Sequence, residues 1–207
     1  MPSSPHILAL VGSYRKGGTI DMAVDEILAS AREHGATTKK VYLVDKKLSL
    51  CTNCRSCTQQ PGESPGLCVL SDAMEDLLKE IEWADAFVLG SPMNAGTVTA
   101  VMKTFIERLI CFAYWPWGAA APKSRLPKKT KQALILCSSA APSVMARFSG
   151  DVARLLKTAA SMMGARVAGR LFIGLAAQQP HQELGLRAIK KARLLGARVV
   201  SLLKESA

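Results

Sequence analysis

Acidic residues are scarce in this 207-residue chain: 16 Asp and Glu stand against 27 Lys and Arg, giving a formal charge of +11 and an isoelectric point near 9.6. That imbalance excludes an acidic, self-repelling tail and directs attention to anionic partners such as nucleic acid, anionic lipid or phosphorylated small molecules. Histidine is scarcer still. His6, His34 and His181 are too dispersed to suggest a triad or a metal cage, and each reads as an ordinary surface or half-buried side chain. Aromatic residues amount to 5%, and neither basic block, Lys123 to Lys131 (KSRLPKKTK) or Arg187 to Arg198, interleaves them as a base-stacking surface does. A solvated basic face is therefore expected, and nucleic acid is not an expected partner. No apolar run reaches the ~18–20 residues of a membrane span. The longest, Leu109 to Pro122, is interrupted by Pro116, so no membrane partner is expected. Met1 to His6 carries no basic stretch ahead of an apolar one, and the expected location is cytoplasmic.

Apolar residues make up 49% and charged residues 21%, which suits one globular domain over the whole chain with a sizeable core. Short apolar runs alternate with longer segments of helical period, the pattern of a parallel sheet covered by helices on both faces. Ile7 to Val11, Lys40 to Val44, Ala86 to Leu89, Ala133 to Cys137 and Arg166 to Ile173 read as five strands. Between them, Ile20, Ala23, Val24, Ile27, Leu28 and Ala31 repeat at helical spacing until Gly35. Met74 to Ile81, with Asp72 and Glu75 placed to cap it, Val98 to Leu109, Val152 to Met163 and Leu186 to Leu203 complete five helices.

In such a doubly wound α/β sheet, ligands lie beyond the carboxyl ends of the strands. The loop after the first strand, Gly12 to Thr19 (GSYRKGGT), supplies glycines, hydroxyls and two cations directly before a helix N-terminus, a site suited to phosphate. It fits a nucleotide-hydrolysing G-x-x-x-x-G-K-[ST] loop at Gly12, Gly17 and Thr19, but Gly18 stands where the lysine belongs. A G-x-G-x-x-G dinucleotide fingerprint is absent too. The loop after the third strand, Gly90 to Thr97 (GSPMNAGT), is built of small residues against which a flat ligand can lie.

These two stretches, GSYRKGGTID and GSPMNAGTVTAVMKTFIER, together resemble the NADPH-dependent FMN reductase family of flavodoxin-like proteins. The resemblance implies a five-stranded parallel sheet of order 2-1-3-4-5 and an FMN-dependent oxidoreductase with NAD(P)H as co-substrate. It implies phosphate contacts at Ser13, Arg15, Gly18 and Thr19, with Ile20 replacing a hydroxyl residue and leaving its backbone N–H. Pro92, Met93, Asn94, Ala95, Gly96 and Thr97 would pack against the isoalloxazine ring, Asn94 and Ala95 standing where an aromatic is common. Ser138 and Ser139 would meet its pyrimidine end. Acceptors of the family are small: quinones, flavins, azo compounds or metal ions. No catalytic side chain is assigned, because the flavin carries the chemistry, and no nucleophile elbow is expected. A homodimer or homotetramer is the expected assembly.

Four of six cysteines, Cys51, Cys54, Cys57 and Cys68, form C-x2-C-x2-C-x10-C after the second strand. Such spacing serves a [4Fe-4S] cluster, structural zinc, or free thiols. Iron-sulfur flavoproteins, relatives within the same fold, carry a more compact version, so an electron carrier with a cluster in this loop is the alternative reading. A third is a basic regulator that has kept the fold and lost flavin. Cys111 and Cys137 read as small buried hydrophobes. The aromatic stretch Phe112 to Gly118 suggests either a wall of the flavin pocket or a subunit interface.

Overall fold

A computed structural model describes residues 4–146 and 150–205; Met1, Pro2 and Ser3 of the N-terminal reading lie outside the described residues. The main elements in chain order are β1 (His6–Val11), α1 (Thr19–Glu33), β2 (Thr37–Tyr42), α2 (Met74–Trp83), β3 (Ala86–Pro92) and α3 (Ala100–Arg108). A short antiparallel ribbon follows, β4 (Ala113–Tyr114) with β5 (Lys123–Ser124). Then come β6 (Lys131–Ser138), the short α4 (Ser143–Ala146), α5 (Val152–Met162), β7 (Ala165–Ile173) and α6 (Leu186–Glu205). The large sheet is parallel throughout, ordered β2-β1-β3-β6-β7. Counting its strands alone, this is the flavodoxin-like 2-1-3-4-5 arrangement.

Continuous apolar runs become the central strands because both faces are covered. Along β1, Ile7, Ala9 and Val11 face α1 and α6 (Ile20, Val24, Ile27, Val199), whereas Leu8 and Leu10 join the core beneath α2, α3 and α5 (Leu77, Met102, Phe105, Leu156). The second strand departs from expectation: β2 runs from Thr37 to Tyr42 and Leu43–Asp45 turn as a 3-10 helix. As an edge strand with one neighbour, β2 can place threonines and lysines outward, so its polar half carries no apolar signal. Helix α3 begins later than its apolar pattern, because the Thr99 hydroxyl caps it by accepting the Met102 N–H.

Helices α1 and α6 meet backbone to backbone. A Cβ at Gly196 would stand 2.3 Å from the Ile27 carbonyl oxygen, so only glycine permits this approach. The Ser30 hydroxyl donates to the Arg193 carbonyl at 2.7 Å, and the Arg193 guanidinium bridges Glu26 and Glu33.

The basic block Lys123 to Lys131 is not simply a solvated face. Lys129 donates to the Leu126 and Ser161 carbonyls, and Lys131 donates to Ile81, Glu82 and Ala84 at the end of α2. Arg125 is buried and donates to the carbonyls of Cys57, Gln60, Gly62 and Cys111. These cations donate to backbone oxygens instead of to solvent, a use that composition does not distinguish from solvation. Among the described residues, no helix is long and apolar enough to cross a membrane.

Candidate functional site

A cleft of about 950 Å³ opens at the carboxyl ends of the central strands, within the size range of small-molecule sites. Its first wall is the loop from Ser13 to Ile20, its second Pro92, Met93 and Asn94, and its third Ser138, Ser139 and Ala140. The Met93 N–H donates to the Ser138 carbonyl at 2.7 Å and the Gly12 N–H to the Gly90 carbonyl at 2.8 Å, so the walls are tied strand to strand. Sequence reasoning missed a fourth wall, Ala176 to Glu183, which includes His181. That loop follows β7 and is held by the Ala176 N–H on the Ser139 carbonyl. Its polar, irregular sequence carries no motif that could have marked it.

The Gly12 to Thr19 loop leads into an open helix end. Gly18 is the N-cap of α1 and no side chain caps that end, leaving the first-turn N–H groups directed at the cleft. The Ser13 hydroxyl accepts the Arg15 N–H at 3.1 Å, which fixes the bend. Arg15 is exposed and forms no ion pair among the described residues, whereas Lys16 is paired with Asp45 at 2.7 Å. Ile20 lines the cleft, and its side chain belongs to the core.

Beneath this loop lies a support the sequence did not disclose. Asp21 is buried, and its carboxylate accepts the Gly17 N–H at 2.6 Å, the Tyr42 hydroxyl at 2.9 Å and the Lys40 ammonium at 2.9 Å. Thr99 supplies a second support, donating its hydroxyl to the Gly12 carbonyl at 2.5 Å. Neither has a local signal, since their partners lie on other elements.

Three of the residues expected against a flat ring do not line the cleft: Ala95, Gly96 and Thr97. Asn94 and Thr97 exchange backbone hydrogen bonds of 2.9 and 3.0 Å around Ala95 (φ +47°) and Gly96 (φ +79°). This is a type I′ turn, and it folds the chain away, its Gly96 carbonyl accepting the Asp151 N–H just before α5. Alanine in a left-handed conformation is strained, so Ala95→Gly is expected to stabilise the fold by about 0.5–1 kcal/mol. An unchanged or lower melting temperature would contradict that.

Cys51, Cys54, Cys57 and Cys68 line a second, small cavity of about 70 Å³ together with Arg55, Arg108, Cys111 and Trp115. The ten-residue interval therefore folds back far enough to bring Cys68 to the other three. All six cysteines are free thiols, with Cys57, Cys111 and Cys137 buried. Among the described residues, no group of three or more sulfur, imidazole or carboxylate side chains is placed to hold a metal ion. A single zinc would need sulfurs each about 2.3 Å from one point, whereas a cluster of several irons takes more widely spaced thiolates. Four thiols around one cavity are the donor chemistry that either group would use.

Of the aromatic stretch, Trp115 lines this second cavity, and none of its residues lines the large cleft. Trp115 and Trp117 sandwich the Arg55 guanidinium at 3.8 and 4.2 Å. Arg108 is buried and bound to Asp72 through two hydrogen bonds, from Nη1 at 2.6 Å and from Nη2 at 3.2 Å, and Nη2 also donates to the Cys68 sulfur at 3.6 Å. Burial alone would raise the Asp72 carboxyl, but Arg108 and the Met74 and Ser49 N–H groups hold it well below the usual carboxylate range. The spacing G-x-S-x-G does occur, at Gly62 to Gly66, but within this loop and with Ser64 exposed, not on a strand-to-helix turn.

The thiols differ in reactivity. A hydrogen bond from the Ser56 hydroxyl, with the Ser56 backbone and Thr52, lowers exposed Cys54 to about 7. Burial pushes Cys111 and Cys137 up to about 12. Iodoacetamide is therefore expected to label Cys54 with a rate that rises through about pH 7 and to spare Cys111 and Cys137 until unfolding. Peptide mass spectrometry reads this directly, and equal labelling of all three in the native state would refute it.

A sequence profile described as "NADPH-dependent FMN reductase" matches residues 5–178. An iron-sulfur flavoprotein of Archaeoglobus fulgidus is 35% identical over 109 residues, 53% of this chain and 47% of that protein. One of Methanocaldococcus jannaschii is 32% identical over 102 residues, 49% of this chain and 50% of that protein. The chain thus spans about half the length of the curated relatives it matches. Among solved structures, an azoreductase of Bacillus anthracis superposes with a TM-score of 0.64, at 17% identity, over 96% of this chain and 99% of that one. At that identity the likeness is one of fold.

Proposed function

This chain belongs to the NADPH-dependent FMN reductase family, and from that premise we propose that it is an oxidoreductase that binds FMN in the large cleft. It would use NAD(P)H as hydride donor and a small molecule, such as a quinone, flavin, azo compound or metal ion, as acceptor. The observation that carries this reading is the uncapped N-terminus of α1, opening with Ser13 and unpaired Arg15 into a cleft of about 950 Å³. Ser13, Arg15, Gly18, Thr19 and the Ile20 backbone would hold the phosphate. Pro92, Met93 and Asn94 would border the ring, and Ser138 and Ser139 its pyrimidine edge. Bound FMN supplies hydride acceptance and release. The work left to the chain is to bind, orient and shield, and a phosphate site at a helix N-terminus suits a terminal monophosphate.

A second reading adds an iron-sulfur cluster, and the specific observation favouring it is that Cys51, Cys54, Cys57 and Cys68 share one cavity. Those thiolates would ligate it, and the group when bound supplies one-electron transfer.

The test is a visible spectrum of protein purified without oxygen, with iron and acid-labile sulfide assays, followed by NADPH. A two-band flavin spectrum that bleaches supports the reductase. Broad added absorbance with iron and sulfide supports the cluster. Protein that stays colourless after FMN is supplied defeats the main reading.

A further inference from the structure

The cysteine cavity is surrounded by more positive charge than the protein neutralises. Arg55 and Arg108 line it, and buried Arg125 lies directly behind it on the carbonyls of Cys57 and Cys111. Against these three guanidiniums the described residues offer one paired carboxylate, Asp72, which is committed to Arg108. Arg55 and Arg125 form no ion pair among the described residues. Arg125 spends its donors on four carbonyls. Arg55 does not: its Nη2 donates to Trp115 and Pro116 carbonyls, but its Nε is buried with no hydrogen-bond partner.

An orphaned buried donor on an unpaired cation is costly unless an anion completes the site. A cluster held by four thiolates is such an anion, and its sulfurs accept N–H hydrogen bonds. Resting on the cluster reading above, we infer that Arg55 is a positioning residue for that group, its Nε–H directed to a cluster sulfur and its charge favouring the reduced form. The two indoles hold the guanidinium plane, so the donor is aimed by stacking and not by a carboxylate that would cancel its charge. The left-handed backbone of Arg55 (φ +60°), between Cys54 and Cys57, places it inside the ligand loop itself.

The experiment compares anaerobically reconstituted wild type with Arg55→Gln and Arg55→Lys, measuring iron and sulfide content and then the cluster and flavin potentials by EPR-monitored and visible redox titration. Arg55→Gln is expected to lower the reduced-to-oxidised ratio of the cluster about tenfold at fixed ambient potential, about 59 mV for one electron. Arg55→Lys, which keeps the charge and loses the Nε–H, is expected to fall between, with the flavin potential unmoved in both. If Arg55→Gln does not load, Arg55→Lys decides. Loaded variants with the wild-type cluster potential overturn the role of Arg55 and leave the cluster reading standing. Wild type that takes up no iron and sulfide overturns both, and an equal shift of flavin and cluster marks a merely structural effect and also overturns it.

Discussion

Replacing Asp21 by alanine is expected to destabilise the protein by about 3 kcal/mol and to weaken FMN binding by at least about tenfold. Asp21 is 3% exposed, and its carboxylate has three donors from two places: Gly17 in the loop before α1, and Tyr42 and Lys40 on β2. Removing it leaves the Tyr42 hydroxyl without this acceptor and Lys40 with Asp25 alone, which is why the expected loss sits at the lower end of the range for broken buried pairs. It also frees Gly17, held at φ +73°, and with it the loop that presents Ser13 and Arg15. Asp21→Asn keeps an acceptor but not the charge and is expected to fall between. Burial pulls Lys40 down, yet its bonds to Asp25, Tyr42 and Asp21 hold it above the ordinary lysine range. For a raised lysine the stabilisation is complete below the unfolded value near 10.5 and fades as pH climbs through the folded one. The loss on mutation should therefore be constant across neutral pH. Urea unfolding with FMN fluorescence titration measures both effects, and a wild-type midpoint and affinity in Asp21→Ala would refute the support.

Gly66→Ala is the second large effect expected. A Cβ there would stand 1.7 Å from the Cys57 carbonyl oxygen and 2.7 Å from its carbon, backbone against backbone, with no flexible side chain to yield. The Gly66 N–H also donates to the Cys111 carbonyl at 2.8 Å, so the loop cannot lift without losing that bond. Unseating it should cost about 3 kcal/mol or more while the sheet persists. Arg125→Met should do the same from beneath by withdrawing donors from Cys57, Gln60, Gly62 and Cys111. The readout is maleimide labelling of Cys57, buried in the parent, with far-UV circular dichroism as control. Continued protection of Cys57 in both variants would refute the account.

The parts of this molecule legible in sequence are those whose physics is local. Continuous apolar runs marked β1, β3 and β6, and the glycines and hydroxyls of Gly12 to Thr19 marked the start of a helix, which no side chain caps. The parts that escaped depend on distant partners. Asp21 carried no mark in the sequence because Lys40 and Tyr42 reach it from β2, and β2 itself was displaced because an edge strand needs few apolar residues. Arg125 and Lys131 read as solvated charge, because a carbonyl awaiting a donor leaves no trace in composition. Ala95, Gly96 and Thr97, expected against a ring, form a turn with two positive φ angles and do not line the cleft, an arrangement their small side chains do not announce.

The backbone contact between α1 and α6 has a consequence for synthesis. The helix that follows the Gly12 to Thr19 loop finds its close-packed neighbour at residues 186–205, far along the chain, so that side of α1 stays uncovered until those residues have been made. Until then Ile27 and Ala31 offer an apolar face to chaperones, and long-range closure of this kind is slow. Closure of α1 on α6 is thus expected to come late in folding, the two helices acting together as a latch on this half of the core.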